Sequence, residues 1–111
     1  MTDNGAELER VLAELRRQYL REAPERLAEL RGALARAGAG SHVALKELRL
    51  LFHRLAGSGG SYGLDAVTAS ARSGERIAFE VEGRGGPVSD ADVESLAACI
   101  AQLAEAFRAA S

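Results

Sequence analysis

Val93-Glu-Ser-Leu-Ala-Ala-Cys-Ile-Ala-Gln-Leu-Ala-Glu-Ala-Phe107 sets Val93, Leu96, Ala97, Ile100, Leu103, Ala104 and Phe107 at helical intervals. That spacing returns each apolar side chain to one stripe of a helix, where strict alternation would mark a strand. Ser89 stands ahead of the stripe with Asp92 three residues later, the spacing of a capping box with a shorter acid. Going backwards, Gly83-Arg-Gly-Gly-Pro87 reads as a loop. Leu64, Val67, Ala71, Gly74, Ile77 and Val81 then line one side of a helix over about residues 64–81. A glycine-rich passage, residues 57–63, parts this helix from the inward stripe Leu45, Leu48, Phe52 and Leu55, for which Ser41 is a natural cap. The first stripe is the longest: Leu8, Leu12, Leu15, Tyr19, Ala23, Leu27, Leu30, Leu34 and Ala37. It crosses Pro24 without changing phase, although proline removes a helical hydrogen bond. This predicts one long helix kinked at Pro24, or two nearly collinear helices, ending at Gly38-Ala39-Gly40.

Four amphipathic segments with short connections predict an all-α fold, an antiparallel up-down-up-down four-helix bundle in one domain over residues 1–111. Composition agrees. Alanine and leucine supply 22 and 15 residues, against ten Val, Ile and Thr together and five aromatics, the balance of helix formers over sheet formers. A net charge of −2 leaves no broad basic field for nucleic acid. No apolar run approaches the roughly 18 residues of a membrane span, and the first residues lack the pattern of a secretory signal. A cytoplasmic, soluble monomer is the expectation. Cys99 is the only cysteine and sits among Leu96, Ala98 and Ile100, the place of a small buried hydrophobe.

His53 is the residue that departs from the packing pattern. At roughly 100° per residue it points well over a right angle away from the core stripe of its helix. Lys46, Arg49 and Leu50 precede it on that outward side, and Ala56, Gly57 and Gly60 follow. Glycine inside a helix costs about 0.5–1 kcal/mol relative to alanine, so the small residues beside His53 mark a place left open for close approach. An uncovered imidazole, a leucine and several cations on one patch describe a docking surface. The plainer alternative is an ordinary surface histidine before a loop.

The segment Leu51-Phe-His-Arg-Leu-Ala-Gly-Ser-Gly-Gly-Ser-Tyr-Gly-Leu64 resembles the active-site helix of histidine-containing phosphotransfer (HPt) domains. His53, Leu55, Gly57, Ser58 and Gly63 carry the match. Upstream, the acidic, proline-containing stretch Tyr19-Leu-Arg-Glu-Ala-Pro-Glu-Arg-Leu27 is similar to the family's first bundle helix. The resemblance implies that His53 accepts a phosphoryl group from a receiver aspartyl phosphate or a kinase and passes it to another receiver. It implies partners that are receiver domains and a sensor histidine kinase, with no nucleic acid or membrane involved. It also implies no cofactor of the domain's own, the receiver bringing Mg²⁺, and a relay intermediate in place of an enzyme.

Glu75, 22 residues after His53, matches a family position that accepts a hydrogen bond from the imidazole; pairing with Arg72 is the alternative. Three places after His53 the family usually has lysine, and this chain has Ala56. Arg49 is the first candidate to hold phosphoryl oxygens in its stead, with Lys46 and Arg72 behind it. Leu50, Ala56, Gly57 and Gly60 are the expected docking positions. The substitution at Ala56 keeps open a rival reading, a module that docks receivers or a kinase without accepting phosphate. A metal site shared by His42 and His53 fails on distance, about 16 Å along one helix. A kinase dimerisation helix fails because Arg54 follows the histidine where an acid is usual.

Overall fold

A computed structural model describes residues 4–111, which form five helices and, among the described residues, no strand. They are α1 (Asn4–Arg21), α2 (Ala23–Gly38), α3 (His42–Ser61), α4 (Asp65–Arg84) and α5 (Asp90–Ala110). The last four form the antiparallel bundle, with α3 packed on α2 and α4, and α5 closing the ring between α4 and α2. Phe52, Leu30, Leu45, Leu48, Leu96, Leu103 and Val67 fill its centre. Each such side chain contributes about 1.5–3 kcal/mol on burial. Cys99 is buried and free, and burial pushes its thiol pKa up.

The first stripe divides at Glu22, two residues before Pro24, so the two-helix alternative is the one realised. Pro24 then lies in the first turn of α2, where a missing N–H leaves no bond unmade. From Tyr19 to Ala37 the stripe is buried as expected. Leu8, Leu12 and Leu15 are not: they are 58, 52 and 42% exposed, and Val11 beside them is 51% exposed. Length explains the difference. Helices of about 20 residues reach about 30 Å, whereas α1 and α2 together run past 50 Å. The molecule accordingly measures 63 × 21 × 19 Å, and the outer part of α1 extends beyond the end of the bundle. Tyr19 anchors its inner end, stacking on Tyr62 at 4.7 Å between ring centroids and hydrogen-bonding Ser58 at 2.6 Å between oxygens.

The glycine-rich passage also differs from expectation. It is helical as far as Ser61, and α3 ends through Gly63, whose φ of 70° permits the Leu64 N–H to donate to the Gly59 carbonyl at 2.8 Å. Gly59 is buried because α4 lies against it; a Cβ there would come within 2.9 Å of Thr68 Oγ1. Gly74 of α4 is the reciprocal case. A methyl group on it would overlap the ring of Phe52, which fills the notch. Two glycines, one on each helix, therefore let α3 and α4 approach closely and lock their register.

Both predicted caps are present. Ser41 accepts from the Ala44 N–H, and Ser89 and Asp92 form the reciprocal capping box of α5. Asp92 also accepts from Arg84 at 2.6 Å, which fastens the α4–α5 loop.

Gly74→Ala should destabilise the fold by about 1–3 kcal/mol, the cost of overpacking a filled core. Gly57→Ala, whose added methyl meets nothing within 4 Å, should be neutral or stabilising by up to about 1 kcal/mol. Thermal unfolding of both variants checks the pair. The Arg84 guanidinium and the Ser89 N–H hold the Asp92 carboxyl below the usual carboxylate range. The folded state thus favours ionised Asp92, and that contribution is present above about pH 4 and fades as pH falls through the lowered folded value. Asp92→Asn should narrow its stability deficit relative to wild type on acidification, read by urea unfolding at pH 7 and pH 3.

Candidate functional site

His53 and Glu75 face each other across the α3–α4 seam, one residue beyond the Phe52–Gly74 contact on both helices. Phe52 points into the core, so its neighbour His53 is turned outward, with 68% of its side chain exposed. Glu75 turns out of the core in the same way after Gly74, but only 29% of its side chain is exposed. Their contact is short: His53 Nδ1 lies 2.6 Å from Glu75 Oε2. A carboxylate can only accept, so this contact places a proton on Nδ1, and in the neutral form of the ring Nε2 is then the bare lone pair facing solvent. The structure brings Glu75 to the imidazole, and Glu75 makes no ion pair with Arg72 among the described residues.

Arg49, one turn before His53, is partly buried and its Nε donates to Glu82 Oε1 at 3.0 Å. That contact spends one of five guanidinium N–H donors and holds the side chain against α4, short of His53. Lys46 lies one turn further back and is exposed, as is Arg72 on α4 one turn before Glu75. The expected docking positions separate. Leu50 is 36% exposed, and Gly57 and Gly60 are exposed as anticipated. Ala56 is not available to a partner: it is 6% exposed, and its carbonyl accepts from Thr68 at 3.4 Å. The helix turns Ala56 toward α4, and a longer side chain there would have to climb out of the seam.

Phe79 escaped the sequence reading. It lies one turn after Glu75 and is 63% exposed. Because α3 and α4 run antiparallel, Phe79 and Leu50 lie toward the same end of the His53–Glu75 pair. Its spacing from Glu75 was the available signal, since residues four apart share a helix face. Glu82 was missed for a different reason: its partner Arg49 is 33 residues away in sequence. His42 and His53 stand at the start and middle of α3, and no group of three or more potential metal ligands occurs among the described residues. No helix there is long and apolar enough to cross a membrane.

A family model described as the Hpt domain matches residues 14–106, from the inner part of α1 to the last turn of α5. The chain belongs to the Hpt domain family. It is thus a phosphotransfer module of two-component signalling, and the all-α bundle is the family's architecture. The Hpt match stops short of Leu8, Val11 and Leu12. Neither a curated protein nor a solved structure matches the chain significantly.

Removing the acceptor with Glu75→Ala should shift the His53 ring from the Nδ1–H toward the Nε2–H tautomer. Long-range ¹H–¹⁵N NMR of the imidazole reads the change, and Glu75→Gln, which keeps an acceptor oxygen, should retain most of the wild-type tautomer.

Proposed function

We propose that this Hpt domain is a phosphorelay intermediate whose acceptor atom is Nε2 of His53. The observation that carries the reading is the Glu75 contact to Nδ1, which leaves the exposed ring nitrogen unprotonated. In the step, the Nε2 lone pair attacks the phosphorus of a receiver's aspartyl phosphate. The N–P bond forms as the P–O bond to the aspartyl carboxyl breaks, and the electron pair returns to the receiver as a carboxylate. The ring gains positive charge, and the Glu75 carboxylate lies where that charge is stabilised. Transfer to a second receiver runs the same exchange in reverse. The receiver supplies Mg²⁺ and the acidic pocket, so this domain acts as a relay substrate in the cytoplasm, with no catalytic site or cofactor of its own.

Partners are response-regulator receivers and a sensor histidine kinase. The patch they would meet is Leu50, Gly57 and Gly60 on α3, with Phe79 on α4, and Gly57 and Gly60 leave room for a receiver's backbone beside the imidazole. Arg49 is the phosphoryl clamp that stands in for the absent lysine at Ala56. Arg49 stands one turn before His53 on α3, and its Nε alone is engaged by Glu82, which leaves the other guanidinium N–H groups for phosphoryl oxygens.

Incubation with a phosphorylated receiver should place acid-labile phosphate on the wild-type chain and none on His53→Gln. Arg49→Ala should slow transfer by about tenfold to hundredfold, the equivalent of one charge-assisted hydrogen bond. An unchanged rate would move that role to Lys46 or Arg72. Receiver binding without transfer to the wild type would overturn the relay and favour the docking module that Ala56 suggests.

A further inference from the structure

We infer that the outer part of α1 pairs antiparallel with the α1 of a second copy, making the protein a weak homodimer with its two bundles at opposite ends. Leu8, Leu12 and Leu15, with Val11 beside them, form a continuous apolar stripe that the rest of the chain leaves 42–58% exposed. The four-three spacing of Leu8, Leu12 and Leu15 is that of a two-helix seam, where each side chain packs between those of a facing helix. A lone protruding helix of this length is marginal in water without such a partner.

Charge identifies the occupant. Glu9 and Arg16 lie on one edge of the stripe, seven residues apart, and neither makes an ion pair among the described residues. Glu14 is already taken by Arg17 at 2.6 Å and Arg21 at 3.4 Å, away from the stripe. In an antiparallel pair, equivalent edges of the two helices meet. With the twofold axis near Leu12, Glu9 of each copy then faces Arg16 of the other, and Leu8 faces Leu15. In a parallel pair the Glu9 and Arg16 edge would instead meet the opposite edge, which carries Val11 and Gln18 and offers neither a partner charge, and both bundles would crowd one end. The stripe is therefore complementary to itself in one orientation only.

Leu8, Glu9, Val11 and Leu12 precede the family-matched residues 14–106, and Leu15 and Arg16 lie just inside them, so the seam starts outside the matched bundle and runs into its first residues. It lies beyond the end of the bundle, whereas His53 is near the middle of α3, so dimerisation leaves the imidazole uncovered. The seam is short and falls in the size range of weak, transient interfaces. The closed bundle alone makes a monomer, as its sequence leads one to expect, and α1 is what adds the second copy.

Sedimentation equilibrium of the full chain from about 10 μM to 1 mM should show mass rising from one chain toward two. Leu12→Glu should hold the chain monomeric with unchanged thermal unfolding of the bundle. Arg16→Glu should weaken the dimer, and adding Glu9→Arg should restore it. Mixed Leu8→Cys and Leu15→Cys chains should form a disulfide-linked heterodimer, with little Leu8→Cys homodimer. A monomer throughout the range, a dimer indifferent to Leu12→Glu, or efficient Leu8→Cys self-linkage would each overturn the proposal.

Discussion

The ring of Phe52 in the notch at Gly74 is the contact on which the rest of this structure depends. It fixes how far α3 is slid along α4 and how closely the two approach. Cores are close-packed, so such an insertion has one seating and not a continuum of them. Gly59 against Val67 and Thr68 repeats the device two turns along, and with two fixed points the helices cannot slip. Everything functional follows from that register. The residues next to Phe52 and Gly74 are His53 and Glu75, which the helical rotation of one residue carries from the core to the surface of the same seam. A shift of one turn, about 5.4 Å, would leave the imidazole without its carboxylate.

The site is therefore chemically economical. One carboxylate sets the ring tautomer and leaves the exposed nitrogen bare, while the bundle contributes rigidity and no pocket. This suits the proposed relay, in which an uncovered imidazole is reached by one partner after another. The departure at Ala56 is equally intelligible from packing, since that position turns into the α3–α4 seam. Under the proposed relay, charge for the phosphoryl oxygens comes from cations rooted outside the seam, and Arg49, one turn before His53, is the one proposed for it.

Much of this was legible in the sequence because it rests on local periodicity. The 3.6-residue stripes of α2 to α5, the Ser41 and Ser89 caps and the outward direction of His53 all follow from residues within a few turns of one another. Glu75 needed more, and came through family resemblance, because no local rule pairs positions 22 apart. Two things were hidden. The glycines at 57–63 look like a loop, and only the approach of α4 explains why a helix continues through Gly59. The stripe of α1 looks like core from Leu8 onward, and only the length of the opposing helices shows that it runs past the bundle. Periodicity marks an apolar face but not what lies against it.

The most direct test is the position of phosphorus on the imidazole. Phosphorylated, ¹⁵N-histidine-labelled protein should show ³¹P coupling and the phosphorylation shift at Nε2 of His53, with Nδ1 still protonated and hydrogen-bonded. Phosphorus on Nδ1, the nitrogen held by Glu75, would contradict the account, because the register set by Phe52 and Gly74 would then not be what prepares the histidine for attack.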